Sequence, residues 1–234
     1  MVTIEADLVT HPLDDPVRTS LRGEHRRFAE WSGRIVRYQP EVARFVGHPP
    51  ALDDRDWVDL AALLGPGGTT GLRGARHVPP AGWTVLDHVG TVQMDGSALR
   101  VAPDPELEVL TPAALPEILE LIARTEPGPY APRTIEMGTY LGLRVDGALV
   151  AMAGERLHPP GWTEISAVCT DPAHRGQGLA TRLIRAVGAG IRDRGEIPFL
   201  HALAGNTTAI SLYRALGFTL RKRGTLTFVQ APWF

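Results

Sequence analysis

The chain is poor in several residue types, and each shortage excludes a class of site. Cys169 is the only cysteine among the 234 residues, which rules out an intramolecular disulfide and a cysteine cluster for metal. Lys222 is the only lysine, so no other lysine can supply a Schiff base or a phosphate clamp. The histidines are scattered without metal-ligand spacing to Asp, Glu or Cys. We therefore expect chemistry without a metal.

Neither charge nor hydropathy points to a large polyanionic partner or to a membrane. The 24 basic side chains nearly balance the 26 acidic ones, so no general field favours nucleic acid or an anionic membrane. No apolar run approaches the roughly 20 residues of a membrane span. The first residues show no basic segment followed by an apolar core. These absences predict a cytoplasmic protein. We expect it to be a monomer or a homodimer.

The most informative segment runs from Glu164 to Ala180. An apolar stretch with the character of a central strand ends at Asp171-Pro172, and a loop with two glycines follows. An amphipathic helix then begins, and Gly195 ends it. Its apolar positions recur at helical spacing: Ala180, Leu183, Ile184, Val187 and Ile191.

A glycine loop that opens a helix is a site for an anion. The first N–H groups of a helix have no intrahelical acceptor, and glycine lets a phosphate approach the backbone closely. A dinucleotide fingerprint starting at Gly176 would need Gly or Ala at position 181, which is Thr181. A Walker A ending of Gly-Lys-Ser/Thr is absent from the sequence. The loop therefore favours a pyrophosphate over NAD or ATP.

A second motif follows an apolar strand at residues 198–203. Asn206 is a good helix N-cap, and Tyr213 follows seven residues later. Gly217 lies where a left-handed C-terminal residue is wanted, and Phe218 can pack back on the last turn.

The two motifs together resemble the GNAT superfamily of N-acetyltransferases. The coenzyme A motif of that superfamily, Q/R-x-x-G-x-G/A, is matched by Arg175, Gly178 and Ala180. The Asn206, Tyr213 and Gly-Phe pattern resembles the second half of the GNAT motif. The more local resemblance is to bacterial GNAT proteins with an FR-type C-terminal half and a divergent N-terminal half.

This resemblance implies a binding mode for acetyl-coenzyme A. The pantetheine arm would bond to main-chain groups of a strand that splays from its neighbour, and the pyrophosphate would lie on N–H groups at the helix start. Tyr213 would place its hydroxyl near the departing sulfur, and Asn206 belongs to the same site. The implied cofactor-binding residues on the strand and loop are Val168, Cys169, Thr170, Arg175, Gly176, Gln177, Gly178, Leu179, Ala180 and Thr181.

An alkyl ammonium needs a proton acceptor, since its pKa near about 10.4 leaves little neutral amine at pH 7. Glu164, on the central strand, is the candidate base, acting directly or through a water. Glu155, His201 and water are alternatives, and Glu164 could instead form a structural ion pair with Arg156 or Arg133. Cys169 could carry an acetyl group, although packing beside the pantetheine explains a small buried residue adequately.

The resemblance implies an α/β (α+β) GNAT fold, with a central mixed, mostly antiparallel sheet flanked by helices. A Pro-rich connection predicts a boundary between residues 1–105, a smaller divergent α/β domain that could be a degenerate copy of the fold, and residues 106–234, the GNAT domain. Locally, we expect a helix from Asp15-Pro16 to Gly33 and a terminal hairpin turning at residues 222–224.

The expected activity is acetyl transfer to an amine of unknown identity. The first rival hypothesis is a non-catalytic acyl-coenzyme A sensor or interaction module on the same fold. The second is a nucleotide-dependent oxidoreductase, which Thr181 disfavours. The loop from Glu126 to Met137 and the N-terminal half are expected to wall the acceptor pocket.

Overall fold

The computed structural model describes residues 11–74 and 77–233. The expectation about an export segment falls on residues 1–10, outside this part of the chain. The α-helices are α1 (Pro16–Arg22), α2 (Asp54–Leu64), α3 (Leu115–Thr125), α4 (Leu179–Asp193) and α5 (Thr207–Leu216). The strands are β1 (Ala29–Ser32), β2 (Ile35–Tyr38), β3 (Val46–Gly47), β4 (Thr69–Arg73), β5 (Thr84–Asp95), β6 (Glu108–Val109), β7 (Tyr140–Val145), β8 (Ala148–Glu155), β9 (Trp162–Thr170), β10 (Ile197–Leu203) and β11 (Thr219–Gln230).

Within the described ranges, eight strands form one sheet in the order β4-β11-β5-β10-β9-β8-β7-β6. The pair β9 and β10 is parallel, and the other neighbours in this sheet are antiparallel. A separate antiparallel sheet contains β1, β2 and β3. The predicted fold class is therefore confirmed.

Strands β4 and β5 precede residue 105 in the chain, yet they lie in the same sheet as β10 and β11. The division at residue 105 stays a prediction about domains, but it does not divide this sheet.

Two apolar layers enclose the large sheet. On one face, α4 and α5 pack on the sheet through residues such as Leu183, Val187 and Leu216. On the other face, α3 and the N-terminal segment supply residues such as Ile118, Val17 and Phe28. The N-terminal segment thereby forms a wall over the face that carries Phe199.

Most local predictions agree with the structure, and two were wrong. The first helix ends at Arg22, because Gly23 terminates it and residues 29–32 pair with β2 as strand β1. The terminal hairpin is absent from the described residues, because β11 runs unbroken from Thr219 to Gln230 along β5. A bulge between Leu220 and Lys222 takes up the irregularity there.

No α-helix in the ranges 11–74 and 77–233 is long and apolar enough to cross a bilayer.

Gly154 fixes how closely Tyr140 approaches β8. The two residues are paired across β7 and β8, and a Cβ on Gly154 would lie 2.2 Å from ring atom Cδ1 of Tyr140. Gly154→Ala should therefore lower the free energy of unfolding by roughly 1–3 kcal/mol through overpacking. Gly190 in α4 is the matched control, because a Cβ there meets nothing within 4 Å.

Gly190→Ala should be neutral or stabilise the protein by roughly 0.5–1 kcal/mol, the helix-propensity difference. Urea unfolding followed by circular dichroism compares the two variants. Equal stability of both variants would contradict the proposed packing of Tyr140.

Candidate functional site

The loop between β9 and α4 has the shape of an anion cradle. A short 3-10 turn, Pro172–His174, follows β9 and is capped by Asp171, whose Oδ1 accepts the N–H of Ala173 at 3.0 Å. Gly176 and Gly178 then adopt φ of 78° and 76°, the left-handed region that favours glycine. A Cβ on either glycine would meet nothing within 4 Å, so the backbone is open to solvent on that side.

The start of α4 leaves its N–H groups available to a ligand. Gly178 is the N-cap residue, and no side chain of the described residues caps this end by a hydrogen bond. The first N–H groups of the helix therefore lack intrahelical acceptors and carry the positive end of the helix dipole. These observations fit the pyrophosphate of an acyl-coenzyme A, which the N–H groups of Gly176 to Thr181 would hold.

Strands β9 and β10 part in the middle of the sheet. Among the described residues they pair from Trp162↔Ile197 to Glu164↔Phe199, and beyond that point β10 pairs with β5 alone. The rest of β9 keeps β8 on one side and faces an opening on the other.

A bulge in β9 accompanies this opening. From Ser166 to Cys169, β9 uses one more residue than β8 uses from Gly154 back to Met152. Ala167 has φ of 52°, an uncommon value for a residue other than glycine. Such bulges bend a strand and change where its main-chain groups point.

The main chain of β9 beyond the bulge presents groups to the opening. The N–H of Asp171 donates to the C=O of Val150 in β8 at 2.7 Å. Successive residues of a strand point their N–H and C=O groups to opposite sides. Because Asp171 points to β8, the main-chain groups of Val168 and Thr170 point away from β8. Arg175 from the loop already donates its Nε to the C=O of Thr170 at 3.3 Å.

The side chains at the predicted cofactor site differ in their surroundings. Cys169 is buried and packs beside Met152, and burial raises the pKa of its thiol, which disfavours the thiolate that a nucleophile needs. Arg175 and Gln177 are exposed. Asn206 caps α5, since its Oδ1 accepts the N–H of Ala209 at 3.1 Å.

Tyr213 lies on α5 and packs edge-on against Phe218 at 5.9 Å between ring centroids. Its side chain also packs against the apolar layer between the sheet and α4. Burial raises the pKa of its hydroxyl, so it stays protonated at neutral pH and can donate a hydrogen bond.

Glu164 is the last residue of β9 paired with β10, and its side chain is fully buried. Arg156 donates to both carboxylate oxygens, from Nη2 to Oε1 and from Nε to Oε2, each at 2.8 Å. Oε1 also lies 2.6 Å from Nδ1 of His201. Burial alone would raise the pKa of Glu164, but Arg156 and His201 hold it below the usual range.

The hydrogen-bond network assigns the tautomer of His201. Arg221 donates from Nη1 to Oε1 of Gln93 at 2.7 Å, and arginine has no acceptor, so the amide oxygen of Gln93 must face it. The amide nitrogen of Gln93 then lies 3.1 Å from Nε2 of His201 and donates to it. The ring proton therefore resides on Nδ1 and points to Glu164, which leaves a lone pair on Nε2.

His201 reaches an open space next to this network. Its side chain is 19% exposed and lines a cavity of 460 Å³ with Gln93, Asp15 and Arg73. Burial lowers the pKa of His201 and the carboxylate of Glu164 opposes that shift, so the ring is neutral at pH 7.

The other acids named from the sequence are engaged elsewhere. Glu155 is buried, binds Arg194 at 2.8 Å and accepts the N–H of Thr139 at 3.1 Å. Arg133 binds Glu136 at 2.7 Å, so the ion-pair partner of Glu164 is Arg156 and not Arg133.

Sequence analysis missed the bulge at Ala167 and the contacts of Gln93. Alanine carries no signal for a left-handed conformation. Gln93 had a weak signal, since it lies between Val92 and Met94 in a strand with one apolar face.

Comparison with known proteins agrees with this geometry. A family model described as FR47-like protein matches residues 140–226. The chain is 40% identical to a GNAT-family acetyltransferase from Novosphingobium aromaticivorans, with a TM-score of 0.86 over 95% of this chain and 99% of that one. No curated protein sequence matches the chain significantly.

A GCN5-related N-acetyltransferase from Kribbella flavida shares the fold at 19% identity, with a TM-score of 0.61 over 92% of this chain and 94% of that one. The extended likeness to the Novosphingobium protein, together with the open helix start and the parted strands, identifies this chain as a member of the GNAT family of acetyltransferases and therefore as an acyltransferase.

Proposed function

We propose that the protein transfers an acetyl group from acetyl-coenzyme A to a primary amine by direct attack of the amine on the thioester. The observation that carries this proposal is the placement of His201, a neutral imidazole with a lone pair on Nε2, on the strand that forms one side of the β9 and β10 opening. Acetyl-coenzyme A, when bound, supplies an activated thioester. The amine forms the C–N bond as the C–S bond breaks. Its nitrogen loses one proton before the attack and a second one after it, and this second loss balances the proton that the departing thiolate takes up.

His201 is the proposed acceptor of the ammonium proton. Both oxygens of Glu164 are occupied and its side chain is inaccessible, so direct contact with an amine would require breaking the Arg156 ion pair. Nε2 of His201 can instead take the proton in place of the hydrogen bond from Gln93. Glu164 then stabilises the imidazolium through Nδ1, which makes Glu164 a positioning residue in this scheme.

Tyr213 is the proposed donor to the departing sulfur. As the C–N bond forms and the C–S bond breaks, the sulfur gains charge and needs a proton. An alkyl thiol titrates near about 8.5 and an unperturbed tyrosine near about 10, so full transfer is uphill by ~2 kcal/mol. Burial of Tyr213 widens that gap, so we expect donation of a hydrogen bond rather than complete transfer.

The function itself is tested by release of free coenzyme A from acetyl-coenzyme A across a panel of primary amines. We expect amine-dependent turnover in the wild type and none in Gly178→Asp, because a side chain and a negative charge would enter the open cradle at a φ of 76°. Gly190→Ala is the control for a glycine substitution outside the loop. Tight cofactor binding without turnover for any amine would favour the sensor hypothesis instead.

Tyr213→Phe should lower kcat by roughly 10- to 1,000-fold and leave acetyl-coenzyme A affinity nearly unchanged. The hydroxyl acts on the departing sulfur, whereas the ring that packs on Phe218 is retained. Pre-steady-state mixing measures the chemical step, and calorimetry measures affinity. A variant with wild-type kcat would remove Tyr213 from the mechanism.

The pH dependence of His201→Gln should distinguish its role from that of Tyr213. In the wild type, kcat/KM should rise with pH through the pKa of His201, which burial sets below the usual value of about 6.5. The variant should lose about 100-fold or more at pH 7 and recover partly toward the pKa of the amine, where the acceptor arrives neutral. Tyr213→Phe should show no such recovery.

His88→Gln provides the matched histidine control, because His88 is an exposed residue of β5 outside the cavity, bonded to Thr227. Glu164→Gln should also lower activity at pH 7, and it should lower stability because it leaves the buried Arg156 without its anion. A wild-type pH profile for His201→Gln would indicate that water, and not His201, accepts the ammonium proton.

A further inference from the structure

The cavity beside His201 has the size of a small-molecule site. Its volume of 460 Å³ lies within the range of about 300–1,000 Å³ that ligand pockets occupy. The wall combines sheet residues, among them His201 and Gln93, with residues of the segment that leads into α1, among them Asp15. The cavity is therefore shaped by both ends of the chain and reaches the proposed proton acceptor.

Arg73, the last residue of β4, contributes an incompletely matched cation to this wall. Its side chain is 26% exposed, and atom Nη2 is buried without a hydrogen-bond partner among the described residues. The nearest carboxylate oxygen, Oδ1 of Asp15, lies 3.7 Å from Nη2, too far for a hydrogen bond. Burial lowers the pKa of Arg73 and Asp15 opposes that shift. Arg73 also lines the cavity, so an anionic ligand there would give its guanidinium a second partner.

The acidic side chains of the wall already have cationic neighbours. Asp14 binds Arg221 at 2.9 Å and lies 3.6 Å from Lys222. Asp15 caps α1 by accepting the N–H of Arg18 at 3.1 Å, and it faces Arg73.

His48 also lines the cavity, and it adds no charge. Burial lowers the pKa of His48 to about 4, so its ring is neutral at pH 7. A bare alkyl ammonium in this cavity would lie near Arg73, a charge of its own sign.

We propose that the acceptor is an amine that also carries a carboxylate, and that the guanidinium of Arg73 binds this carboxylate while the amine faces His201. This inference rests on the proposed acetyl transfer and specifies its substrate class. The planar guanidinium can donate two parallel hydrogen bonds to a carboxylate, and pairs of this kind are among the stronger charge-assisted contacts.

The same wall disfavours a dianionic phosphate. A dianion beside Arg73 would also lie near Asp15 and Asp14, whereas a carboxylate brings only a single negative charge near them. An amino carboxylate also carries no net charge. Its carboxylate would face the cation of Arg73, and its amine would face the neutral ring of His201.

The test compares acceptors that differ in the carboxylate alone. The panel contains the common amino acids, three ω-amino acids of increasing length, the carboxamide of each, and aminoethyl phosphate. In the wild type, the best amino acid should exceed its carboxamide by roughly 10- to 100-fold in kcat/KM, the size expected for a charge-assisted pair. The intrinsic reactivity of the amines would instead favour the carboxamide. The α-amine of an amino acid amide has a pKa near about 7.7–8.0 and is more often neutral than that of the free amino acid.

Three variants distinguish recognition from loss of structure. Arg73→Gln should bring acid and carboxamide within about threefold of each other, mainly through a higher KM for the acid. Arg73→Lys keeps the positive charge but loses the two parallel N–H donors of the guanidinium, so it should retain part of the preference for the acid. Arg55→Gln is the control, because Arg55 lies on α2 with 84% of its side chain exposed. Thermal melts of each variant report its fold.

Two results would overturn the inference while leaving acetyl transfer intact. One is equal kcat/KM for acids and carboxamides in the wild type, and the other is an acid preference that survives in Arg73→Gln. A preference for aminoethyl phosphate would replace the carboxylate with a dianion and so also contradict the proposal.

Failure of acetyl transfer itself would appear as no coenzyme A release with any amine. In that case, calorimetry with the N-acetylated amino acids and their N-acetylated carboxamides still tests whether Arg73 binds a carboxylate. Binding of the acids to the wild type and not to Arg73→Gln supports the role of Arg73. Equal binding of acids and carboxamides, or none by either, rejects it.

Discussion

The arrangement of the site depends on the buried carboxylate of Glu164. It lies at the last position where β9 and β10 pair, and it binds Arg156 through both oxygens and His201 through one. Removing one partner of a buried ion pair costs about 3–5 kcal/mol, because the other charge is left without compensation. The same contact fits a proton of His201 on Nδ1, so that Nε2 accepts the hydrogen bond from Gln93. One interaction thus anchors the point where the strands part and sets the chemistry of the residue beside the opening.

The two halves of the chain meet around Glu164 and His201. Strand β5, from the first half of the sequence, pairs with both β10 and β11, and its Gln93 completes the hydrogen bonds of His201. Gln93 also donates to the C=O of Leu13 at 2.8 Å, which ties the segment before α1 to the sheet. The N-terminal part of the chain is therefore a structural component of the cavity beside His201, whatever its evolutionary relation to the C-terminal half.

The local geometry of the proposed cofactor side was largely predictable from sequence, because each of its features depends on nearby residues. Two glycines with left-handed φ, an uncapped helix start and the Asn206 cap each depend on a few neighbouring residues. The surroundings of His201 were less predictable, because their contacts join residues far apart in the chain. Glu164 and His201 both emerged as candidates, but their division of roles required the contacts of Arg156, Gln93 and Arg221.

The two wrong local predictions have the same cause. Apolar residues between Val17 and Trp31 suit a helix by spacing, yet residues 29–32 gain more by pairing with β2. A turn at residues 222–224 would need β11 to fold on itself, whereas β5 offers it a partner along its whole length. Tertiary pairing outweighed local propensity in both cases.

The central claim is that the α4 start and the β9 and β10 opening together hold an acyl-coenzyme A with its thioester beside His201. A crystal structure of the protein with acetyl-coenzyme A tests it most directly. The account predicts pyrophosphate oxygens at roughly 2.7–3.2 Å from backbone nitrogens between Gly176 and Thr181, and the pantetheine arm against Val168 and Thr170. Pyrophosphate density away from the α4 N-terminus, or a pantetheine arm outside the opening, would contradict it.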